Sequence, residues 1–455
     1  MSDLSSAVAE LSRNFSGRLL LPEHTPWDDA RRVHNGLVDK RPAVIAQCAG
    51  SADIVQAVRL ARERSLEIAV RGGGHNVGGR ATVDDGMLID LTPMRHVFVE
   101  PAARTARVAG GTLWAQVNRE TQVHGLATTG GVVSSTGVAG LTLGGGLGWL
   151  MPKYGMALDN LNAVEMVLAD GRVVRAAESE NSDLFWAVRG GGGNFGVASS
   201  FEFRLHEVGP MVFGGLVAWP ADRARDVLRH FRDLASAADD NLMLVAALIT
   251  GPDGVTKLCA IGAGYFGPSA QGEAALRPIK SFGQPVMDAM GPIPYSQLNM
   301  MLDESYPRGA RNYWKSRFVD ELSDRGVDTI VDAFMKCPSP MGQIVIEHFH
   351  GAATRIAPGH TAYALRQGGF NVLLLSQWQG AEADGAGTAW ARDSYAAMAP
   401  LVGSRRYMNY LDNDDADTSA LEAAYGPNLQ RLRSIKAKYD PDNVFHLNVN
   451  VPPAR

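Results

Sequence analysis

Three clusters of glycine in the first 200 residues constrain the fold of this chain more than any other feature of its sequence. They read RGGGHNVGG at residues 71–79, GGVVSSTGVAGLTLGGGLG at 130–148 and GGGGNFG at 190–196. Glycine lets a chain turn sharply and lets another group approach the backbone closely. Because few charged residues lie in these segments, we expect their backbone N–H groups to converge on a bound diphosphate and a flat ring system. For each glycine taken singly, a plain turn is the alternative.

The composition excludes several other classes of protein. The net charge is −5 and no basic stripe is present, which argues against nucleic acid as a partner. Cys48, Cys259 and Cys337 lie far apart, so they predict free thiols rather than a disulfide framework or a metal site. The N-terminus lacks a signal-peptide pattern, and no apolar run approaches the roughly 18 residues of a membrane span. We therefore expect a cytoplasmic protein with no membrane partner; its oligomeric state stays open.

The pattern of apolar residues predicts two domains with different arrangements of strands and helices. Up to about residue 209, strands alternate with helices, and AVEMVLADGRVVRA predicts a β-hairpin whose turn is at Asp170-Gly171. Beyond Pro210 we expect an antiparallel sheet with helices on one face. The predicted strands are 211–219, 242–250, 257–266, 342–350 and 371–379, and the predicted helices are about 221–238, 268–278, 318–335 and 386–400.

Several motifs together resemble one known family. RGGGHNVGG, GGVVSSTGVAGLTLGGGLGW, LFWAVRGGGGNFGV and the closing YDPDNVFHLNVNVPP are similar, in the same order, to the FAD-linked oxidases related to 6-hydroxynicotine oxidase and berberine bridge enzyme. The resemblance implies an α+β fold with a two-lobed FAD-binding domain of the vanillyl-alcohol-oxidase type (PCMH-type). It also implies a substrate domain with an antiparallel sheet backed by helices. The expected domains are 1–209 (core about 38–209), 210–404, and a C-terminal segment 405–455 that returns to the FAD domain.

The resemblance implies that FAD is bound covalently through His75 only. In this family the histidine of RGGGH is bonded to the 8α carbon of the flavin, and some members use a cysteine as a second attachment where this chain has Val133. Thr136 matches the position at the oxygen-access face of the flavin. The full set of expected cofactor-binding residues is Arg71, Gly72, Gly73, Gly74, His75, Asn76, Gly78, Gly79, Gly130, Gly131, Val132, Val133, Thr136, Gly137, Gly140, Leu141, Gly144, Gly145, Gly148, Asn194, Gly196, Val197, Asn448 and Asn450.

The candidate catalytic residues come from two later segments. In GQIVIEHFHG, the two-residue period of a strand places Gln343 and Glu347 on one face, toward either the substrate pocket or solvent. The segment RRYMNYLDND resembles the family's Tyr-x-Asn-Tyr segment, which implies roles for Tyr407, Asn409 and Tyr410. Tyr410 is the expected general base, provided that a cation or a hydrogen-bond partner stabilises its phenolate.

The preferred function is that of an FAD-dependent oxidase. It would take hydride from a C–H bond of a small amine, alcohol or hydroxylated aromatic or natural-product molecule, and O2 would reoxidise the flavin to give H2O2. A dehydrogenase of the same fold that uses another acceptor is the alternative, and a non-catalytic flavin-binding protein is a third hypothesis.

Overall fold

The computed structural model describes residues 3–401, 403–412, 414 and 418–454 and shows an α+β fold. The first lobe is a four-stranded sheet of order β1-β2-β4-β3, in which β2, β3 and β4 run parallel. Its elements are α1 (Asp3–Leu11), β1 (Arg18–Leu20), α2 (Trp27–Arg31), β2 (Val44–Gln47), α3 (Ser51–Glu63), β3 (Ile68–Arg71) and β4 (Met87–Asp90). The first glycine cluster begins where β3 ends, so this lobe presents it at a strand terminus.

The second lobe is a five-stranded antiparallel sheet of order β5-β6-β10-β8-β9. Its elements are β5 (Val97–Glu100), β6 (Thr105–Ala109), α4 (Trp114–Gln122), α5 (Val138–Leu143), α6 (Met151–Tyr154), β8 (Leu161–Val167), β9 (Val173–Ala177), α7 (Ser182–Val188) and β10 (Val197–Arg204). Strands β7 (Leu126–Ala127) and β11 (His206–Glu207) pair with each other in a separate two-stranded sheet. Strands β8 and β9 pair antiparallel, which confirms the hairpin predicted from the sequence.

The third unit is an antiparallel eight-stranded sheet of order β15-β12-β14-β13-β18-β19-β17, with β16 also paired to β12. Its strands are β12 (Met211–Pro220), β13 (Leu242–Thr250), β14 (Lys257–Tyr265), β15 (Met287–Asp288), β16 (Gly291–Pro294), β17 (Arg311–Val319), β18 (Gln343–Phe349) and β19 (Gly369–Trp378). The helices of this region are α8 (Ala224–Ala237), α9 (Gly272–Lys280), α10 (Tyr295–Met300), α11 (Asp324–Met335), α12 (Ala352–Arg355) and α13 (Asp384–Met398). The predicted antiparallel sheet backed by helices is therefore confirmed.

One predicted element of this sheet was wrong. The helix expected at 318–335 begins only at Asp324, with Ser323 as its N-cap, because residues 311–319 form strand β17 at the edge of the sheet. Ile344 and Ile346 of β18 pack with the buried residues of the helical layer. Ser376 and Trp378 of β19 also face that layer, since the Ser376 hydroxyl donates to the Gly387 carbonyl of α13.

The C-terminal segment returns to the second lobe through α14 (Thr418–Tyr425) and α15 (Leu429–Tyr439). The buried Lys436 ammonium donates to the Asn194 carbonyl at 2.6 Å, to the Phe445 carbonyl at 2.9 Å and to Asp440 at 2.5 Å. A buried ammonium requires such partners, so Lys436 fixes the third glycine cluster to the chain end. The proposed domain limits at 209/210 and 404/405 stay a prediction.

The three thiols are free, with Cys48 and Cys259 buried and Cys337 half-buried. Within the described ranges, none of the helices combines the length and the apolar character needed to cross a membrane.

Candidate active site

The three glycine clusters meet at one cavity that is open to solvent. One part of its lining, the cofactor wall, consists of lining residues within 70–76, 131–149 and 192–198. A second part, the substrate wall, carries side chains from the eight-stranded sheet and the loop after α10. The members of the substrate wall are Val245, Leu302, Tyr306, Trp314, Val345, Glu347 and Leu373.

The cofactor wall depends on glycine at the point where two of its loops touch. A Cβ atom built on Gly73 would lie 2.5 Å from the Cα of Gly137, and one built on Gly137 would lie 2.4 Å from the Gly73 nitrogen. No side chain fits between two backbones at that separation. Gly140 also lines the cavity, and a Cβ there would meet no atom within 4 Å. The wall is therefore built of backbone and leaves open space in front of it.

His75 is half-buried in the cofactor wall, in the turn that follows β3, and its Nε2 atom is buried. Its Nε2 atom has no hydrogen-bond partner among the described residues. Burial, with a smaller contribution from the neighbouring His34, lowers the pKa of His75 to about 3. The imidazole is therefore neutral near pH 7 and keeps a free lone pair, which is the state needed for nucleophilic attack.

A buried carboxyl group lies in the substrate wall. Glu347 of β18 accepts hydrogen bonds from the Asn371 amide at 2.7 Å and from the Tyr410 hydroxyl at 3.1 Å. Burial raises the pKa of Glu347 to about 6, although both hydrogen bonds act in the opposite direction. A carboxyl group with a pKa close to neutrality can act as a general base at physiological pH.

Tyr407 holds the second glycine cluster in place. Its buried hydroxyl accepts hydrogen bonds from the Gly146 nitrogen at 2.9 Å, the Leu147 nitrogen at 3.3 Å and the Asn409 amide at 2.9 Å. The Asn409 amide also donates to the Leu141 carbonyl at 3.0 Å. Burial raises the pKa of Tyr407 to about 12. Tyr407 and Asn409 therefore connect the C-terminal segment to the cofactor wall.

These residues fit an FAD molecule. The backbone cradle provides room for a diphosphate and a flat ring, and the unpartnered His75 nitrogen supplies a buried nucleophile beside it. The sequence profiles of two families match the chain: "FAD binding domain" at residues 42–177 and "Berberine and berberine like" at residues 406–452.

Full-length relatives agree with these two matches. (R)-6-hydroxynicotine oxidase of Paenarthrobacter nicotinovorans is 30% identical over 452 residues, which cover 97% of each chain. The chain belongs to the berberine bridge enzyme-like family of FAD-linked oxidoreductases.

Two solved structures of the family share the whole fold. The crystal structure of 6-hydroxy-D-nicotine oxidase from Arthrobacter nicotinovorans matches with a TM-score of 0.88 and 28% identity, covering 97% of this chain and 98% of that one. Glucooligosaccharide oxidase from Acremonium strictum matches over 100% of both chains, with a TM-score of 0.87 and 26% identity. The flavin of that oxidase is a 6-S-cysteinyl, 8α-N1-histidyl FAD.

The cavity brings together most of the cofactor-binding residues expected from the family resemblance. The lining includes Gly72, Gly73, Gly74, His75, Asn76, Gly131, Val132, Val133, Thr136, Gly137, Gly140, Leu141, Gly144, Asn194, Gly196 and Asn448. The residues outside it are Arg71, Gly78, Gly79, Gly130, Gly145, Gly148, Val197 and Asn450.

Some residues of the second group support the loops from behind. Arg71 forms a buried ion pair with Asp90 at 2.6 Å, and a Cβ on Gly130 would collide with Trp114. Asn194 belongs to the lining, but its side-chain amide donates to the Gly191 and Val449 carbonyls, so this side chain stabilises the loop itself.

The structure argues against Tyr410 as the phenolate base expected from the resemblance. Its hydroxyl donates to Glu347, and burial together with that carboxylate raises the pKa of Tyr410 well above its ordinary value. The nearby cation Arg405 instead contacts Asp320 and donates to the Gln367 carbonyl. Gln343, at the start of β18, lies outside the cavity lining, whereas Glu347 lies within it.

Sequence reasoning missed several residues around Glu347. Asn371 lies opposite Glu347 in the β18–β19 register and is fully buried. Trp314 lies on the unpredicted strand β17 and makes an edge contact with Tyr410, with ring centroids 6.2 Å apart. Tyr306 also makes an edge contact with the Trp314 ring, with ring centroids 6.1 Å apart. The alternation of side chains along β19 was one signal for Asn371, because it places Asn371 on the same face of the strand as Leu373, which lines the cavity.

Proposed function

We propose that this chain is an oxidase that removes hydride from a C–H bond of a small hydroxylated or amine-bearing, largely apolar substrate, with O2 as acceptor. The single observation that carries the proposal is Glu347, a buried carboxyl group with a pKa of about 6 that lines the same cavity as the glycine loops. When bound, FAD accepts the hydride and passes two electrons to O2, which becomes H2O2.

Glu347 is the proposed base for the O–H or N–H proton of the substrate. In this role the Oε1 atom of Glu347, which accepts a hydrogen bond from the Tyr410 hydroxyl, takes the proton. The Asn371 amide donates to Oε2 and holds it in position. Tyr410 is then a positioning residue that orients the carboxylate. A general base must lie within hydrogen-bond reach of the proton that it removes, and it must also have a suitable pKa.

The side chains of the substrate wall support a largely apolar substrate. Tyr306, Trp314 and Leu373 present rings and methyl groups, and Glu347 is the ionisable group of the wall besides the tyrosine hydroxyl. A flat ring with one hydroxyl or amine group matches such a wall, because the ring can pack against the apolar side chains while its one polar group forms a hydrogen bond with Glu347.

We further propose that FAD is attached through His75 alone. Val133 lines the cavity at the place where relatives use a second attachment, and a valine side chain cannot form a thioether. After acid precipitation the wild-type pellet should stay yellow, and that of His75→Ala should be white. A colourless wild-type pellet would refute the covalent attachment.

The test of the function is flavin bleaching under anaerobic conditions across a panel of phenolic alcohols, aromatic amines and oligosaccharides. We expect an aromatic alcohol or amine to bleach the flavin and air to restore the colour with release of H2O2. Fast bleaching followed by slow reoxidation in air would favour the dehydrogenase. If none of the compounds bleached the flavin, the non-catalytic hypothesis would gain support.

A further inference from the structure

The His75 imidazole is stacked on a second imidazole. The ring centroids of His34 and His75 are 4.0 Å apart and the two planes differ by 22°. His34 lies between α2 and β2, in a segment that the glycine motifs do not include. Burial lowers the pKa of His34 to about 4, and the nearby Arg308 acts in the same direction. Both rings are therefore neutral near pH 7, and the stack carries no charge repulsion.

The backbone around His34 is fixed on two sides. The His34 nitrogen donates to the Gly74 carbonyl at 2.9 Å, and the Gly309 nitrogen donates to the His34 carbonyl at 2.9 Å. The next residue, Asn35, is buried and donates to the carbonyls of Val77 and Asn312 at 2.7 and 2.9 Å. His34 is thus held between the loop that carries His75 and the edge strand β17.

A glycine loop supplies no side chains that could orient the imidazole it carries. The three glycines before His75 in RGGGHN have no side chains that could pack against its ring. Its Nε2 atom lacks a hydrogen-bond partner among the described residues. The flat face of His34 is therefore a contact that restricts rotation of the His75 ring. Stacked rings prefer a defined offset and separation, so such a contact limits the orientation of both planes.

We infer that His34 is a positioning residue for the attachment of FAD to His75. The inference rests on the covalent bond proposed above. In that step one C–H bond of the flavin 8α methyl group and one N–H bond of the His75 imidazole break, and a C–N bond forms. The remaining electron pair and both protons pass to the flavin ring, which is reduced; O2 then oxidises it and becomes H2O2. His34 would hold the plane of the His75 imidazole in one orientation while that bond forms.

The test compares the formation of covalent flavin in three variants of the full-length protein. His34→Ala removes the stacked ring, His34→Leu keeps bulk without a flat face, and His34→Phe keeps a flat ring without nitrogen atoms. His230→Ala is the matched control, because His230 is also a stacked imidazole (4.1 Å from Phe282), but the ring it stacks on lies outside the cavity lining, whereas His75 lies within it. Samples are taken at intervals after synthesis begins. Visible absorbance gives total bound flavin, and acid precipitation separates the covalent fraction.

We expect covalent flavin to form on the order of 10-fold more slowly in His34→Ala and His34→Leu, because misplacement of a reacting atom by a fraction of an ångström has an effect of that size. His34→Phe and His230→Ala should match the wild type. Wild-type rates in both His34→Ala and His34→Leu would overturn the inference. So would an equally slow His34→Phe, which would mean that the imidazole nitrogens are needed.

Only variants that bind flavin before the covalent bond forms can be compared. If His34→Ala loses its flavin, the comparison rests on His34→Leu. A colourless pellet from the wild type would overturn both this inference and the proposed covalent attachment. A yellow wild-type pellet together with undisturbed His34 variants would overturn the positioning role alone.

Discussion

The two walls of the cavity are built by opposite means. The cofactor wall consists mainly of backbone, and its critical contact joins two residues without side chains, Gly73 and Gly137. The substrate wall consists of side chains, and its chemistry depends on Glu347 and the two groups that hold it. A substitution in the first wall therefore acts by steric exclusion and affects the whole loop. A substitution in the second removes one function and leaves the shape of the cavity.

The largest effect should follow from a methyl group in the cofactor wall. Gly73→Ala places a Cβ 2.5 Å from both the Cα and the nitrogen of Gly137. Relieving this clash requires a shift of the backbone, which costs more free energy than the rotation of a side chain. We expect loss of bound flavin and a destabilisation of about 1–3 kcal/mol or more. Flavin absorbance and thermal unfolding measure the two effects.

The matched control for that substitution is Gly385→Ala in α13, where an added Cβ meets no atom within 4 Å. It should keep its flavin. A fully yellow Gly73→Ala protein would show that the two loops can separate, and the contrast between the two walls would then fail.

The next largest effect should come from the substrate wall. Glu347→Gln keeps the size of the side chain and removes the base, so kcat/KM should fall by about 10²–10⁴-fold while flavin content stays normal. The acid limb of the wild-type pH profile, expected near pH 6, should disappear. Gln343→Ala on the same face of β18 should have little effect, because Gln343 lies outside the cavity lining. Equal losses in both variants would contradict the assignment of the base.

The cofactor wall was largely predictable because its information is local. Each glycine cluster is continuous in sequence, and a backbone cradle needs little more than the absence of side chains. Even there, the sequence did not separate glycines that face the cavity, such as Gly140, from those that pack behind it, such as Gly130. That distinction depends on contacts with Trp114, which lies on another element.

The substrate wall was only partly predictable because its site depends on pairing between distant strands. Alternation along β18 puts Glu347 on the face opposite to Ile344 and Ile346, which pack with the helical layer. It could not reveal that Asn371 would pair with Glu347, since the register between two strands is a tertiary property. The charged and aromatic residues of β17 concealed an edge strand, so Trp314 was missed.

A smaller effect is expected for the hydroxyl group next to the base. Tyr410→Phe removes a hydrogen bond that lowers the pKa of Glu347, so the acid limb should move to a pH above 6. The loss in kcat/KM at high pH should be on the order of 10-fold, the effect of one hydrogen bond to a charged group. The pH profile of kcat/KM measures both quantities. A loss as large as that of Glu347→Gln at every pH would instead make Tyr410 the base.

The smallest effect concerns stability. The pKa of Glu347 is raised in the folded protein from its ordinary value of 4.5 to about 6. A raised pKa means that the folded state binds the proton more tightly than the unfolded state does. The stabilisation from this carboxyl group is therefore fully present below pH 4.5 and is lost as the pH rises through 6. A shift of this size corresponds to at most about 2 kcal/mol.

Glu347→Gln cannot ionise, so it should lose less stability than the wild type between pH 5 and pH 8. Thermal unfolding of both flavin-loaded proteins at the two pH values measures the difference, and subtracting one protein from the other cancels the remaining titrating groups. Identical pH dependence in the two proteins would mean that Glu347 ionises as easily in the cavity as in water. The substrate wall would then hold its carboxylate charged in the resting protein, and the proton of the substrate would have to leave by another route.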